Sequence, residues 1–217
     1  MAARAFYNVG YHMSLRATHP AKHVLNAEGF AQPHVWKARV GLLEVGLNGH
    51  MEKSVLMNSV DLARWSTIAL NGTLGLALRH KWFFRVGANM VTYHEPIPLL
   101  RPYEVQSEVV YWDDEGWLYF DHRIVCPVTG TLYADAISRN IIKRTRKATI
   151  EFPEMLEILG LARTRPPMPD VIRHYLAWDS ATKQSMEAWS DSLVQQPDDV
   201  VTENVSSDGL KFNVVGK

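Results

Sequence analysis

Cysteine is nearly missing from this sequence: Cys126 is the single one in 217 residues. That excludes an internal disulfide framework, gives a metal no second thiolate, and fits a reducing compartment. Cys126 itself reads as a small buried residue on a strand rather than a nucleophile. An excess of either charge is missing too. Basic and acidic side chains number 23 each, so the balance asks for neither nucleic acid nor an anionic membrane. No apolar run approaches the ~20 residues of a membrane span, and the N-terminus lacks the apolar core of a secretory signal. The histidines His34, His80, His94, His122 and His174 show no metal-ligand spacing, so no metal or cofactor is expected. Acids are absent from residues 1–27, which carry Arg4, Arg16 and Lys22. That start reads as a basic arm or as a weak match to a mitochondrial targeting segment, so the expected compartment is cytoplasm or mitochondrial matrix. Repeats and low-complexity tracts are also absent.

What is present is a chain with 47% hydrophobic residues, enough for one domain with long flanks. Residues 1–33 hold Gly10, Pro20, Gly29 and Pro33 and show no clear period. They read as an arm that packs on something. Residues 34–146 carry the strong patterns. His34 to Val45 predicts a strand, and Gly46-Leu47-Asn48-Gly49 breaks it. Ser54 to Leu70 predicts a helix buried over most of its surface, with Ser54 as N-cap and Asn71-Gly72 as stop. Four strand-like runs follow, Trp82–His94, Tyr103–Trp112, Trp117–Cys126 and Thr131–Lys143, and they read as an antiparallel meander. In the second, Val105, Val109 and Tyr111 face one way and Gln106 and Glu108 the other. Residues 147–217 read as an extension, with a short helix at Pro153–Leu161, an extended Arg165–Pro169, a helix at Asp170–Val194 and a polar tail from Gln195. The seven tryptophans read as core and interface anchors.

A single buried helix between a first strand and a meander is an α+β order of elements. The junction residues sharpen it. Gly46-Leu47-Asn48-Gly49-His50-Met51-Glu52-Lys53, then Asp61-Leu62-Ala63-Arg64, resemble the 4-hydroxybenzoyl-CoA thioesterase branch of the hotdog superfamily. They look closest to the thioesterase-superfamily-member-6-like group. Val91-Thr92-Tyr93-His94-Glu95-Pro96 and Gly130-Thr131-Leu132-Tyr133-Ala134 are similar to later parts of the same pattern. The resemblance covers about half the chain. It implies a hotdog fold, a long helix wrapped by an antiparallel sheet, that pairs with itself or a related chain.

The departures bear on chemistry. The family's catalytic Asp falls at Gly46, its paired Asn positions at Glu52 and Lys53, and its Tyr at Leu56, whereas Asn48, His50 and Met51 are kept. Thioester hydrolysis needs a carboxylate to attack the carbonyl or to activate water. It also needs donors for the oxyanion, which the resemblance places on the amides of the helix start. Glycine at 46 has no side chain for the first task. Glu44, Glu52 and Asp61 are the acids near enough to substitute, although Asp61 and Arg64 also read as an ion pair and Glu52 as a helix-start charge. His50 reads as a hydrogen-bonding group of the site or as a structural residue of the turn. The expected role is therefore a degenerate hotdog protein, a structural or acyl-binding subunit of a larger assembly. The alternative is an active acyl-CoA thioesterase using Asn48, His50, Glu52 and Asp61. A hotdog dehydratase or hydratase ranks last. The expected partners are a second hotdog chain, a large protein assembly, and an acyl-CoA or acyl-carrier ligand.

Overall fold

The computed structural model describes residues 2–18, 33–161 and 164–194. The chain forms two compact units, Met1–Ile172 and Arg173–Lys217. Among the described residues no helix is long and apolar enough to cross a membrane, and no group of three or more His, Cys, Asp or Glu is placed to hold a metal ion.

The central helix α2, Lys53–Leu70, starts one residue before the predicted cap. Glu52, in extended backbone conformation, is the N-cap instead of Ser54. Leu56, Val60, Ala63 and Ile68 are buried along it, as their spacing predicts. Ser59, Ser66 and Thr67 are buried as well. Each hydroxyl donates to the carbonyl four residues back, at 2.9 Å, so these polar groups enter the core already satisfied. The helix stops at Asn71, as expected, but the chain re-enters a helix at once. The turn uses Gly72 at φ +82°, and α3 follows at Thr73–His80. Nothing in the sequence pattern announces α3. It forms because Leu74, Leu76 and Ala77 find buried places.

The first strand, β1, is His34–Arg39. The strand predicted to Val45 ends early because Gly41 starts a 3-10 turn, Leu42–Glu44, in which Glu44 Oε2 accepts from Gly41 N–H at 2.9 Å. The remaining strands are β2 (Phe83–Tyr93), β3 (Pro102–Trp112), β4 (Trp117–Val125), β5 (Leu132–Lys143) and β6 (Thr149–Ile150). Their order is β1-β3-β4-β5-β2, all antiparallel, with β6 beside β5. The predicted four-stranded meander is thus three strands, β3-β4-β5, and β2 lies at the far edge. Pro96 and Pro98 make the β2–β3 link an extended loop. That loop runs past the start of α2, where Met51 N–H donates to Ile97 O (2.8 Å) and Leu99 N–H to Gly49 O (3.2 Å).

The alternation predicted for β3 is observed, with Tyr103, Val105, Ser107 and Val109 buried. Leu56, Val60 and Ala63 of α2 share one core cluster with Trp36, Val105, Ile124 and Tyr133 of the strands. The sheet therefore cups the helix, which is the α+β hotdog arrangement that the resemblance implies.

Both flanks add to this unit. Residues 2–18 show no obvious period in sequence but form a helix, α1 (Ala2–Thr18). Its Val9 and Met13 pack on Ile68, Ala69 and Leu74, and Arg16 Nη1 donates to Leu70 O at 2.7 Å, capping the end of α2. Pro20, Gly29 and the tail from Gln195 fall outside the described residues. After β5, helix α4 (Phe152–Ile158) buries Phe152, Met155 and Leu156 in a cluster with Trp112, Leu118 and Phe120. The compact unit thus takes in β6 and α4, which the sequence pattern groups with the C-terminal extension. The last helix, α5, is Asp170–Val194, as predicted. From Arg173 on it belongs to the second unit, where Trp178, Met186 and Trp189 are exposed.

Candidate functional site at the start of the buried helix

The turn before α2 is held almost entirely by main-chain bonds. Gly46 N–H donates to His50 O at 2.9 Å, and Gly49 N–H to Gly46 O at 3.0 Å. Gly49 sits at φ +74°, which favours glycine. Asn48 Oδ1 accepts from His50 N–H at 3.1 Å, so Asn48 braces the turn that presents His50. Glu52 N–H donates to Glu44 O at 2.9 Å, and Glu52 O accepts from Val55 and Leu56. The main-chain amides of Lys53 and Ser54, at the first turn, take no carbonyl from the helix, and the Glu52 side chain makes no capping bond to them.

The Glu52 side chain goes elsewhere. Its Oε1 overlaps the point that a Cβ on Gly46 would occupy, with Cδ 3.0 Å and Asn48 Oδ1 3.5 Å from that point. A carboxylate thus lies where a side chain at 46 would begin. An aspartate at 46 and Glu52 in this position exclude one another sterically. The sequence shows the loss at 46 and the gain at 52 separately, and only the folded turn brings them together.

Glu52 also lines a cavity of about 380 Å³ with Asn48, His50, Lys53, Tyr93, His94 and Glu95. Lys53 Nζ stands 4.9 Å from the Tyr93 ring centroid, a cation–π contact. His94 Nε2 is hydrogen-bonded to Asp135 Oδ1 of β5. Tyr93, His94 and Glu95 are not among the residues that sequence reasoning selects. The signal that could have found them is the family-like Val91–Pro96 segment, whose proline turns it back across the helix start.

Two of the candidate acids lie apart from this site. The Glu44 carboxylate is taken by the Gly41 amide. Asp61 lies nine residues beyond Glu52, about 13 Å along the helix, and pairs with Arg64 Nη2 at 2.6 Å. It lines a different cavity. The structure therefore brings Asn48, His50 and Glu52 together and leaves Asp61 out. Cys126 is buried.

A second polar group lies inside the sheet. Ser107 Oγ and His122 Nδ1 are 2.7 Å apart, His122 Nε2 and Ser138 Oγ 2.9 Å, and Asn140 Nδ2 donates to Ser138 Oγ at 2.9 Å. Burial, with the nearby Arg64 charge, pushes the His122 pKa down to about 3, so the ring is neutral at physiological pH.

The comparisons with known proteins agree with this geometry. The sequence model of the thioesterase-like superfamily matches residues 40–176. Protein THEM6 of Drosophila melanogaster is 25% identical over 127 residues, 58% of this chain and 63% of that protein. Protein THEM6 of Danio rerio is 25% identical over 156 residues, 70% and 73% respectively. The chain thus spans less than two thirds of the length of the fruit-fly relative. Among solved structures, the probable thioesterase YbaW of Escherichia coli aligns with TM-score 0.54 and 15% identity over 60% of this chain and 99% of that one. The 1,4-dihydroxy-2-naphthoyl-CoA thioesterase Slr0204 of Synechocystis aligns at 0.51 and 11% over 58% and 94%. At such identities these neighbours speak for the fold alone. By the match over residues 40–176, this chain belongs to the thioesterase-like superfamily, and its fold is the hotdog fold.

Proposed function

We propose that the protein hydrolyses acyl-CoA thioesters, with Glu52 as the catalytic carboxylate in place of the aspartate missing at 46. The observation that carries this reading is the Glu52 carboxylate seated over Gly46, on a residue that lines an open cavity with Asn48 and His50. In this scheme Glu52 takes a proton from water as the water oxygen bonds to the thioester carbonyl carbon. The oxyanion forms against the free amides at the start of α2, where the helix dipole favours negative charge. Collapse breaks the C–S bond, and the proton held by Glu52 passes to the leaving thiolate, giving acid and free CoA.

The partner in this scheme is a second copy of the chain. Strand β2 is an edge strand of 11 residues with Phe83, Val86 and Tyr93 exposed. Such an edge, even with the bulge between Val86 and Ala88, is a template for strand pairing. Its Tyr93 end runs into the cavity, so a paired copy would border the site.

The expected alternative, a structural or acyl-binding subunit of a larger assembly, has one observation in its favour. Leu42, Leu43 and Leu47 are exposed at 73%, 100% and 111% around the site turn, an apolar rim that a protein partner could cover. Thiol release from acyl-CoAs of short to long chain separates the two. Turnover that falls about 10³-fold in Glu52→Gln supports the hydrolase. Absence of turnover above buffer on every chain length, by a protein that elutes with a partner, gives the subunit reading.

A further inference from the structure

Helix α5 carries apolar side chains that the described residues leave uncovered. From Arg173 to Asp191 Tyr175 is the one buried residue, whereas Trp178, Met186 and Trp189 are 56%, 63% and 64% exposed. At about 100° of turn per residue, these four fall within about 40° of Thr182, on one face. The rest of the helix gives it little support of its own. Ser180, Thr182, Ser185, Ser190 and the two tryptophans are weak helix formers. Its ion pair, Lys183 Nζ to Asp179 at 3.1 Å, is exposed on the lysine side and contributes little. A helix of this kind is held by packing its apolar face against a partner.

We infer that α5 pairs antiparallel with α5 of a second copy of this chain, about a two-fold axis at Thr182. The stripe is self-complementary about that residue, as a two-fold interface requires. Trp178 and Met186 lie four residues to either side of it, and Tyr175 and Trp189 seven. Antiparallel pairing sets Trp178 of each copy against Met186 of the other, a sulfur–aromatic contact. It sets Trp189 against the Tyr175–Trp178 ring pair, whose centroids are 6.2 Å apart. The charges agree. Asp179 and Lys183 share one flank of the stripe, and that flank meets itself across the axis, so Lys183 of each copy comes beside Asp179 of the other. The opposite flank holds Ala181, Ser185 and Ala188, small enough for the axes to approach to about 8–10 Å. A parallel pair would oppose Trp178 to Trp178 and set Lys183 against the uncharged flank. The area is adequate as well. The exposed parts of the two tryptophans supply roughly 200–300 Å² per copy, about half of the ~500 Å² per copy that a specific interface needs, before Met186 and the flanks add theirs. This pairing is separate from the β2 edge and does not require that Glu52 hydrolyse anything.

The test is oxidative cross-linking of the full chain at micromolar concentration, with oxidised glutathione. One variant is Thr182→Cys, on the stripe, and the other Gln184→Cys, on the opposite face of α5. Cys126 is buried and does not compete. A disulfide-linked dimer should form at least tenfold faster with Thr182→Cys, because the axis brings the two sulfurs within bonding reach. Adding Trp178→Glu and Trp189→Glu should slow it at least tenfold. Both tryptophans are exposed, so the fold of the Met1–Ile172 unit should be kept, which thermal unfolding checks, and the comparison of Thr182→Cys with Gln184→Cys needs neither change. The native chain should sediment as a dimer or a larger even assembly. A monomer overturns the inference and assigns the stripe to residues 195–217 of the same chain or to another protein. Equal rates for Thr182→Cys and Gln184→Cys, or a rate unmoved by the tryptophan substitutions, also overturn it and leave β2 as the place of any pairing. None of these failures bears on the hydrolase reading, which is measured by thiol release.

Discussion

The two ends of helix α2 handle polar groups in opposite ways. At the start, Gly46, Asn48, His50 and Glu52 lie within seven residues of sequence, and their cavity is open to solvent. Further along, Arg64 lines one cavity with groups from distant segments, Thr73 of α3 and Asn140 of β5, and His122 of β4 is close enough to feel its charge. There the polar groups are almost wholly buried. The open end keeps the Glu52 carboxylate over Gly46, at the cap of a helix whose first amides take no carbonyl from it, and the proposed hydrolysis rests on that arrangement. The closed end joins most of its polar groups to one another and leaves two atoms over, Arg64 Nη1 and Thr73 Oγ1. The lesson is that a polar residue on this helix is read by what the fold brings to it, and spacing along the helix is a poor guide.

The comparison breaks or sharpens in measurable ways. The largest effect expected is at the open end. Glu52→Gln should lower kcat/KM for acyl-CoA about 10³-fold, near 4 kcal/mol of barrier, and leave unfolding by urea almost unchanged. Next is the closed end. His122→Leu should cost about 3 kcal/mol in urea unfolding, because it strands the buried Ser107 and Ser138 hydroxyls. The same residue sets a pH dependence. Its folded pKa of about 3 lies below the ordinary 6.5, so the unfolded chain takes up the proton first. Its contribution is complete above pH 6.5 and falls by about 1.4 kcal/mol per pH unit as pH drops from 6.5 toward 3. His122→Leu should remove that slope. A smaller effect is expected where α1 meets α2. Gly72→Ala puts a Cβ at φ +82° and 2.5 Å from the Arg16 guanidinium, at a cost of about 1–2 kcal/mol in thermal unfolding. The smallest is Asp61→Asn. Hydrolysis should change less than about threefold, since Asp61 lies about 13 Å along the helix from Glu52 and pairs with Arg64 there. A loss there as large as that of Glu52→Gln would erase the difference between the two ends.

Much of the fold is legible in the sequence because it is written in local periods. The alternation of Val105, Val109 and Tyr111, and the apolar density of Val60, Ala63 and Ile68, define β3 and α2 without any tertiary knowledge. What is not legible depends on distant contacts. Strand β2 pairs with β5 across an intervening pair of strands, which no period along the chain encodes. Helix α1 becomes sensible only when Arg16 reaches Leu70. The site is legible as a motif, and Asn48, His50 and Glu52 do meet. Asp61 and Glu44 are equally acidic in the sequence, yet a guanidinium takes one and a glycine amide the other. The meeting of Gly46 with Glu52 was invisible because it depends on the rotamer at the helix cap.

That meeting is tested most directly by exchanging the two positions. In Gly46→Asp the new side chain competes with Glu52 for one place, and activity should fall. In the double variant Gly46→Asp with Glu52→Asn, the carboxylate returns to the position it has in the family pattern, and thiol release from acyl-CoA should recover to within about tenfold of the native rate. A double variant as inactive as Glu52→Gln, folded and with its cavity intact, would contradict the claim that one carboxylate at this spot performs the chemistry.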